Sequence, residues 1–197
     1  MPVRAGNKGK IFVVSGPSGS GKTTLIKQVL KDRRIRSRFV RSVSYTTRAK
    51  RSGERHGRDY FFITRKEFLR QLKAKKFLEW TKYLGYYYGT SREFVEEQIF
   101  RGKSIFFCID IKGKNSIKNI FPLNAVSIFV MPGSLKELPL RIRGRCSRIE
   151  TGEIRQRVQL AKKEILSAPG YDYTLINQEL MHARNRLKEI ICKELIN

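Results

Sequence analysis

The sequence predicts an α/β fold: a three-layer core around a parallel sheet, with an inserted β-rich subdomain and an arginine-rich lid. Three observations support this prediction. Short apolar runs alternate with segments of helical periodicity, as in proteins whose parallel strands are joined by helices. A glycine-rich segment directly follows the first apolar run. The middle of the chain is rich in aromatic residues, arginine and glycine.

The regular elements of the core follow from apolar runs and from helical spacing. Three runs suit interior parallel strands, which are buried on both faces: Ile11–Ser15, Lys103–Asp110 with its core at Ile105–Ile109, and Ala125–Met131. Periodicity predicts a helix over Thr23–Lys31 and another over Thr151–Ser167, which the breaker Ala168-Pro169-Gly170 ends. A terminal helix is expected from about Glu179.

The segment of about 39–89 is predicted to be the inserted subdomain. Short strands are expected at Tyr60–Thr64 and Phe77–Leu84, and between them Thr64-Arg65-Lys66-Glu67 has the capping-box pattern that begins a helix. The core then comprises about 1–38 and 90–197 of a single domain. An arginine-rich piece, about 141–157, has the character of a mobile lid.

Composition limits the classes of protein to consider. The chain has 197 residues with 42 Lys and Arg against 17 Asp and Glu, a net charge of +25 that attracts polyanions such as nucleotides and nucleic acid. No apolar run approaches the ~20 residues of a membrane span, and the basic start leads into too few apolar residues for a signal peptide. Its three cysteines are widely spaced, so we expect a cytoplasmic protein with reduced thiols.

A phosphate-binding motif lies between the first strand and the first helix. Gly16-Pro17-Ser18-Gly19-Ser20-Gly21-Lys22-Thr23 fits the P-loop pattern of Gly, four residues, then Gly-Lys-Thr. Its glycines let backbone N–H groups converge on phosphate oxygens at a helix N-terminus. We expect Lys22 to reach the β- and γ-phosphates and the Thr23 hydroxyl to ligate Mg²⁺. The motif predicts a nucleoside triphosphate as one substrate.

The inserted segment is expected to bind the second substrate. Four residues combine guanidinium forks, which pair with phosphate bidentately, with phenol hydroxyls that add donors: Arg48, Arg51, Tyr60 and Tyr88. An acceptor phosphate needs such a clamp, because enzymes of phosphoryl transfer chiefly align groups and screen charge. Any single arginine of this group would otherwise be assigned to a solvated basic surface.

These segments together resemble the guanylate kinase family across nearly the whole chain. The matching blocks occur in the family's order and close to its spacing: Ser42–Arg48 with Arg51, Gly53-Glu54, Gly57–Tyr60, Phe77–Trp80, Tyr87–Thr90, Ile109-Asp110, and Tyr171–Tyr173 with Asn177. The resemblance implies in-line transfer of the γ-phosphoryl group of Mg·ATP to GMP or dGMP, without a covalent enzyme intermediate.

The resemblance also implies roles for individual residues. ATP would lie on Gly16–Thr23 and Thr24, with Asn177 near the adenine. The GMP phosphate would be held by Arg48, Arg51, Tyr60 and Tyr88, and the guanine by Ser44, Glu79 and Asp110, with Thr90 as a weaker candidate. Arg141, Arg145 and Arg157 would be lid arginines that act in catalysis with Lys22 and Arg48.

The chemistry of guanine supports the choice of Glu79. Guanine presents two donors side by side, N1–H and the exocyclic amino group, and one carboxylate accepts from both. Adenine has an acceptor at N1, which would face the carboxylate with repulsion. A site built on such hydrogen bonds can reject an analogue that lacks them by about 10⁴–10⁵. The alternative for Glu79 is a strand carboxylate directed at solvent.

Three positions depart from the family's pattern. Cys108 stands where the family usually has a carboxylate, which is expected near the waters of Mg²⁺. Lys112 stands where it normally has glutamine, which adds a positive charge. Pro139 follows a capping-box pattern at Ser134–Glu137 and is expected to kink or break that helix, at a cost of about 3 kcal/mol.

Three other functions stay open at this point. A related kinase acting on a phosphorylated sugar would keep the phosphate loop but not the guanine contacts. A guanylate-kinase-like scaffold that binds peptides would typically have a degraded phosphate loop. A nucleic-acid binder would use the basic clusters at Arg33–Arg41 and Arg65–Lys76, but no nucleic-acid-binding motif occurs and a solvated basic surface is favoured. The sequence does not set the oligomeric state.

Overall fold

The computed structural model describes residues 9–144 and 151–196. Its strands are β1 (Ile11–Ser15), β2 (Phe39–Arg41), β3 (Tyr45–Thr46), β4 (Phe61–Phe62), β5 (Phe77–Tyr83), β6 (Tyr86–Ser91), β7 (Ser104–Phe107), β8 (Ala125–Pro132) and β9 (Tyr173–Asn177). Its helices are α1 (Lys22–Val29), α2 (Arg33–Arg38), α3 (Arg65–Lys73), α4 (Arg92–Phe100), α5 (Ile111–Ile120), α6 (Leu138–Arg143), α7 (Thr151–Ile165) and α8 (Leu180–Ile196). Short 3₁₀ helices occur at Leu135–Glu137 and Ala168–Gly170.

The central sheet has five parallel strands in the order β2-β7-β1-β8-β9. Strands β1, β7 and β8 are nearly continuous apolar runs because helices cover both faces of the sheet. On one face Phe12 packs in a cluster with residues of α1 and α8. On the other face Val13 packs with residues of α4 and α5. The predicted three-layer α/β core with a parallel sheet is therefore confirmed.

The inserted part of the chain forms a second sheet, with strand order β4-β3-β6-β5. Strands β5 and β6 are a hairpin whose turn residues Leu84 and Gly85 have φ values of 48° and 83°, as a two-residue turn that matches the strand twist requires. Thr64 caps α3 by accepting a hydrogen bond from the backbone N–H of Glu67, as predicted. Phe68 of α3 stacks on Phe77 with ring centroids 4.4 Å apart, which holds the helix against the sheet.

Two expectations about strands of the insertion need correction. The segment 39–41 was predicted to belong to the insertion, but it forms β2 at the edge of the central sheet. Its aromatic residue explains the difference, because Phe39 stacks on Phe106 of β7 at 5.0 Å between ring centroids. The strand predicted over Tyr60–Thr64 is regular only at Phe61–Phe62.

The expectation that Pro139 lies inside a helix and costs an interior hydrogen bond needs correction. The 3₁₀ turn Leu135–Glu137 ends before α6, and Pro139 lies in the first turn of α6. Proline is tolerated there because first-turn N–H groups have no intrahelical acceptor. Ser134 accepts from the backbone N–H of Lys136, so the capping residue serves the short turn rather than a long helix.

The arginine-rich segment predicted as a lid, about 141–157, is described in part. Arg141 lies in α6 and Arg157 in α7, while Arg145 lies outside the described residues. Helices α6 and α7 pack together through Leu138, Ile142, Ile154 and Ala161. Within 9–144 and 151–196, no helix is long and apolar enough to cross a membrane.

Candidate active site

The glycine-rich segment connects β1 to α1 at the C-terminal edge of the parallel sheet. Gly16 has a φ of 135°, and a Cβ there would lie 2.3 Å from the carbonyl oxygen of Val130. Gly21 precedes α1 with a φ of 88°, and a Cβ there would lie 2.2 Å from Nδ2 of Asn177. Both positions therefore require glycine. No side chain of residues 9–144 or 151–196 caps α1, so the N–H groups of its first turn are available to an anion.

Lys22 and Thr23 begin α1 and line the cleft beside the phosphate loop. The Nζ of Lys22 donates to the carbonyl oxygens of Gly16 and Pro17 at 2.5 and 2.8 Å, so the ammonium lies over the loop. The Oγ1 of Thr23 lies 3.8 Å from the Sγ of Cys108, which follows β7. A phosphate group on the loop would meet a cation and a hydroxyl.

Asn177 and Arg141 contact the phosphate loop region without lining this cleft. Asn177 is the last residue of β9, and its Nδ2 donates to the carbonyl oxygen of Ser20 at 2.7 Å. Arg141 lies 3.5 Å from the carbonyl oxygen of Asn177 and pairs with Glu137 at 2.7 Å. Asn177 thus fixes the shape of the loop, and Arg141 is adjacent to Asn177.

Arg48 and its neighbours form a cationic, aromatic wall opposite the loop. Arg48 is buried, and its Nη2 donates to both carboxylate oxygens of Glu54 at 2.7 and 3.0 Å. Its guanidinium carbon lies 5.5 Å from the ring centroid of Tyr60, whose ring is 5.9 Å from that of Tyr88. The backbone N–H of Arg51 donates to Glu54 at 2.8 Å, so one carboxylate holds both arginines in place.

The guanidinium groups crowd one another on the side of the cleft near the phosphate loop. Burial, followed by the charges of Arg48 and Arg157, lowers the pKa of Arg51. Arg157 reaches the Oγ of Ser18 at 3.3 Å from α7 and pairs with Glu153 at 2.6 Å. An anion between these cations would relieve their mutual repulsion. A phosphate group beside the loop would fit this arrangement of charges.

Glu79 provides a buried carboxylate at the other end of the cleft. Its Oε1 accepts from the Oγ1 of Thr90 at 2.5 Å, while its Oε2 has no hydrogen-bond partner among the described residues. Burial raises the pKa of Glu79 to about 7, against the hydrogen bond from Thr90 and with a smaller contribution from Asp110. A carboxylate oxygen without a donor is costly to bury, so a donor from a ligand would stabilise it.

Asp110 lies beside Glu79 but its oxygens already accept hydrogen bonds. Oδ1 caps α5 by accepting from the backbone N–H of Gly113 at 2.9 Å, and Oδ2 accepts from the Oγ1 of Thr81 at 2.9 Å. This second bond links the inserted sheet to the core. Asp110 is thus held rigidly next to Glu79.

One cleft brings most of the predicted site residues together. The predicted residues in its wall are Gly16, Ser18, Lys22, Thr23, Ser44, Arg48, Arg51, Tyr60, Glu79, Tyr88, Asp110 and Arg157, and Cys108 is present as well. The phosphate loop, the arginine and tyrosine group, and the carboxylates are therefore neighbours in space. They come from the core and from the insertion, so the cleft exists only where the two sheets meet.

Some predicted residues lie outside the wall of this cleft. Thr90 is buried behind Glu79, to which its hydroxyl donates, and it does not line the cleft. Thr24 is exposed and borders a neighbouring depression. Sequence reasoning missed Tyr83 and Glu164, which both line the cleft. Glu164 follows Arg157 by seven positions on α7, a spacing that places both on one helical face and could have revealed it.

The fold and the cleft define a class of protein before any comparison. A glycine-rich loop between the first strand and first helix of a parallel sheet, facing arginines and tyrosines of an inserted sheet, is the arrangement of a P-loop protein. The family model described as guanylate kinase matches residues 8–194. The chain belongs to the guanylate kinase family.

Individual relatives agree with this assignment. A guanylate kinase of Synechocystis is 42% identical over 98% of each chain, and one of Thermotoga maritima is 42% identical over 95% of this chain and 88% of its own. The crystal structure of guanylate kinase from Anaplasma phagocytophilum superposes with a TM-score of 0.77 at 31% identity, covering 98% of this chain and 89% of that chain. These matches confirm the family predicted from the sequence.

Proposed function

We propose that the protein is an ATP:GMP phosphotransferase, which converts ATP and GMP, or dGMP, to ADP and GDP. The observation that carries this proposal is that the phosphate loop, the Arg48 group and the unpartnered carboxylate oxygen of Glu79 line a single cleft. Two phosphorylated ligands bound there would direct donor and acceptor phosphates toward each other. Alignment of this kind is the main contribution of an enzyme to phosphoryl transfer.

The donor side would use the phosphate loop. Backbone N–H groups of the loop and of the first turn of α1 would bind the β- and γ-phosphates. Lys22 would exchange its contacts with the loop carbonyls for contacts with phosphate oxygens. Arg157, which contacts Ser18 of the loop, would bind the oxygens of the transferred phosphoryl group. We assign Thr24 to ATP together with the phosphate loop and Asn177 to the adenine end, and we assign Arg141 and Arg145 to a lid that closes over the phosphates.

The acceptor side would use the inserted sheet. Arg48 and Arg51, which Glu54 already orients, would bind the GMP phosphate together with the hydroxyls of Tyr60 and Tyr88. The guanidinium forks offer parallel N–H donors to two phosphate oxygens. The acceptor oxygen would then lie on the side of the cleft where Arg157 and the phosphate loop meet.

The base end would select guanine. The Oε2 of Glu79 would accept from N1–H or the exocyclic amino group, replacing the donor that it lacks. Ser44 and Asp110 line the same end and would add polar contacts, and Thr90 would keep the Glu79 carboxylate in place. Adenine would leave the carboxylate oxygen unpaired and would face it with an acceptor, so AMP should be a poor substrate.

The residues near Thr23 fit a Mg²⁺ ion carried by ATP. Mg²⁺ prefers oxygen ligands, keeps several waters and is bound through few protein groups together with substrate phosphates. The Thr23 hydroxyl is one oxygen ligand, and no cluster of three or more His, Cys, Asp or Glu suited to a metal occurs among the described residues. When bound, the ion would neutralise charge that develops on the β- and γ-phosphate oxygens.

Further assignments follow from the same interpretation. We assign the core, about 1–38 and 90–197, to ATP, and the insertion, with its start moved past β2, to GMP. A cytoplasmic location agrees with the free thiols of Cys108 and Cys192 and with the supply of both nucleotides there.

The experiment that tests the proposal supplies purified protein with Mg·ATP and each nucleoside monophosphate in turn, and follows ADP release. We expect turnover with GMP and dGMP, and a kcat/KM for AMP lower by about 10³ or more. Ribose 5-phosphate serves as the control acceptor, because it offers a phosphate without a base. Folded protein that turns over ribose 5-phosphate but not GMP, or that turns over no acceptor, would contradict the proposal.

A further inference from the structure

Glu164 is a carboxylate of the cleft whose role neither the sequence motifs nor the proposed reaction explains. It lies on α7, three positions after the buried Ala161 and seven after Arg157, on the helix face that packs toward the core. Its Oε2 is buried and has no hydrogen-bond partner among the described residues. A carboxylate oxygen in that state is costly unless a ligand or its bound water donates to it.

The groups that face Glu164 locate it near the phosphates. Burial raises the pKa of Glu164, while Lys22 on α1 and the Tyr83 hydroxyl on β5 oppose that shift and Asp110 before α5 adds to it. Arg157, on the same helix, contributes to the electrostatic surroundings of Tyr83. Lys22 is the cation that belongs at the β- and γ-phosphates, so Glu164 faces the place where a metal-bound triphosphate tail would lie.

The other anionic or sulfur groups nearby are poorer candidates for this role. Both oxygens of Asp110 already accept hydrogen bonds, from the backbone N–H of Gly113 and from Thr81. Cys108 lies 3.8 Å from the Oγ1 of Thr23, but a thiol is a poor partner for Mg²⁺ and for its strongly held waters. The Oε2 of Glu164 is therefore the carboxylate oxygen on this side of the cleft that lacks a donor among the described residues.

We propose that Glu164 is a positioning residue that accepts hydrogen bonds from the water ligands of the Mg²⁺ carried by ATP, at a site where Cys108 supplies no carboxylate. The proposal rests on the proposed function for the presence of Mg·ATP. Groups that hold metal-bound waters orient the metal without touching it, and their removal typically weakens metal affinity by 10–100-fold. Glu164 lies on α7 and Cys108 directly follows β7, so the two residues approach the cleft from different elements.

The test measures ATP binding to the whole protein by calorimetry, with Mg²⁺ and with a chelator, in the absence of GMP. The measured quantity is the factor by which Mg²⁺ strengthens ATP binding. We expect Glu164→Gln to reduce this factor by about tenfold while leaving metal-free ATP binding close to that of the parent. Glu189→Gln, which changes an exposed carboxylate on α8, is the matched control and should leave the factor unchanged.

A rescue variant separates positioning from a structural role. Cys108→Asp places a carboxylate beside Thr23, so it should restore most of the lost factor in the Glu164→Gln background. A Glu164→Gln protein with reduced turnover but an unchanged Mg²⁺ factor would overturn the proposal, as would failure of Cys108→Asp to restore the factor. If Glu164→Gln does not fold, Glu164→Asp carries the test, because the shorter carboxylate keeps the charge but loses reach. An unchanged factor in that variant would also overturn it.

This experiment can fail independently of the proposed function. ATP binding and its dependence on Mg²⁺ are measured without an acceptor, so they are defined whether or not GMP is phosphorylated. A parent that binds Mg·ATP but does not turn over GMP would count against the proposed function alone. If the parent turns over GMP but Glu164→Gln leaves the Mg²⁺ factor unchanged, the result would count against this inference alone.

Discussion

The phosphate loop and the guanine end of the cleft bind their proposed ligands in different ways. The loop is one contiguous segment, and its donors are backbone N–H groups whose directions depend on the left-handed conformation at Gly16 and Gly21. The guanine end collects side chains from separate elements, with Glu79 on β5, Thr90 on β6 and Asp110 before α5. One end is determined locally, and the other depends on how two sheets meet.

The two ends also differ in charge and in the groups that lack a partner when no ligand is bound. Near the loop, burial and then the charges of Arg48 and Arg157 lower the pKa of Arg51, so an anion bound there would favour its charged form. At the base end, burial disfavours the ionised form of Glu79, and a pair of donors is needed. A substrate with a phosphate at one end and guanine at the other satisfies both requirements, so neither end alone explains selectivity. Four predictions test this contrast.

The largest effect is expected from Lys22→Ala. Without the ammonium, the charge on the transferring phosphoryl group is not screened on the loop side, and turnover with GMP should fall by about 10³ or more. The melting temperature should change less than the rate, because Lys22 is only half-buried and its hydrogen bonds to Gly16 and Pro17 stay within the loop region. Single-turnover measurement of ADP formation checks this result. Lys31→Ala, an exposed lysine just after α1, should behave like the parent, and a Lys22→Ala rate within tenfold of the parent would contradict the prediction.

A smaller effect, confined to the acceptor, is expected from Arg48→Lys. Lysine keeps the charge but loses the fork that donates to Glu54 and to a phosphate, so the KM for GMP should rise by about 10². ATP binding, measured by calorimetry, should be unchanged because the loop does not use Arg48. Arg55→Lys, at an exposed position of the same segment, is the control. Equal loss of ATP and GMP affinity would show that the two ends are not separable.

Glu79→Gln should alter selectivity more than rate. The amide accepts one hydrogen bond at most from guanine and places a donor toward the base, so the ratio of kcat/KM for GMP over AMP should fall by about 10–10². Turnover at saturating GMP should fall by less than tenfold. Competition between GMP and AMP in one reaction measures the ratio directly. Glu96→Gln, exposed on α4, controls for the loss of a charge, and an unchanged ratio for Glu79→Gln would remove that residue from base recognition.

The smallest effect is on stability without ligand. The pKa of Glu79 is about 7 in the folded protein and near 4.5 when unfolded, so the folded state binds the proton more tightly. The stability that this provides is complete below about pH 4.5 and is lost as the pH rises through about 7. Over that window the free energy of unfolding of Glu79→Gln should gain about 1–3 kcal/mol relative to the parent. Urea unfolding at several pH values checks the sign. If the free energy of unfolding of Glu79→Gln rises relative to that of the parent as the pH falls, the prediction is refuted.

Departures from the sequence prediction occur where a long-range partner decides the outcome. Phe39 was placed in the insertion, but stacking on Phe106 draws its strand into the central sheet. Pro139 was expected to lie inside a helix, but the 3₁₀ turn ends at Glu137 and α6 begins at Leu138, so Pro139 lies in the first turn of α6. Strand β9 and helices α2, α4 and α5 were not predicted as elements, because their apolar positions are short or irregular and gain burial only from the assembled core.

The site shows the same division. The phosphate loop could be predicted because eight neighbouring residues carry its whole pattern, and the clamp and Glu79 could be named through the family's ordered blocks. That Thr90 lies behind Glu79, and that Glu164 lines the cleft, could not be read in this way. Both depend on which side chains face each other across elements far apart in the chain.

The sequence by itself determined the α/β class, the phosphate loop and the family, because apolar periodicity, glycine spacing and ordered motifs are local properties of the chain. Only the tertiary structure decided which acids stay without a partner, since a carboxylate loses water and gains or lacks donors according to what packs around it. Glu79, Asp110 and Glu164 are chemically alike in the sequence. Packing around them makes Asp110 a rigid cap of α5 and leaves Glu79 and Glu164 each with an oxygen that has no hydrogen-bond partner among the described residues.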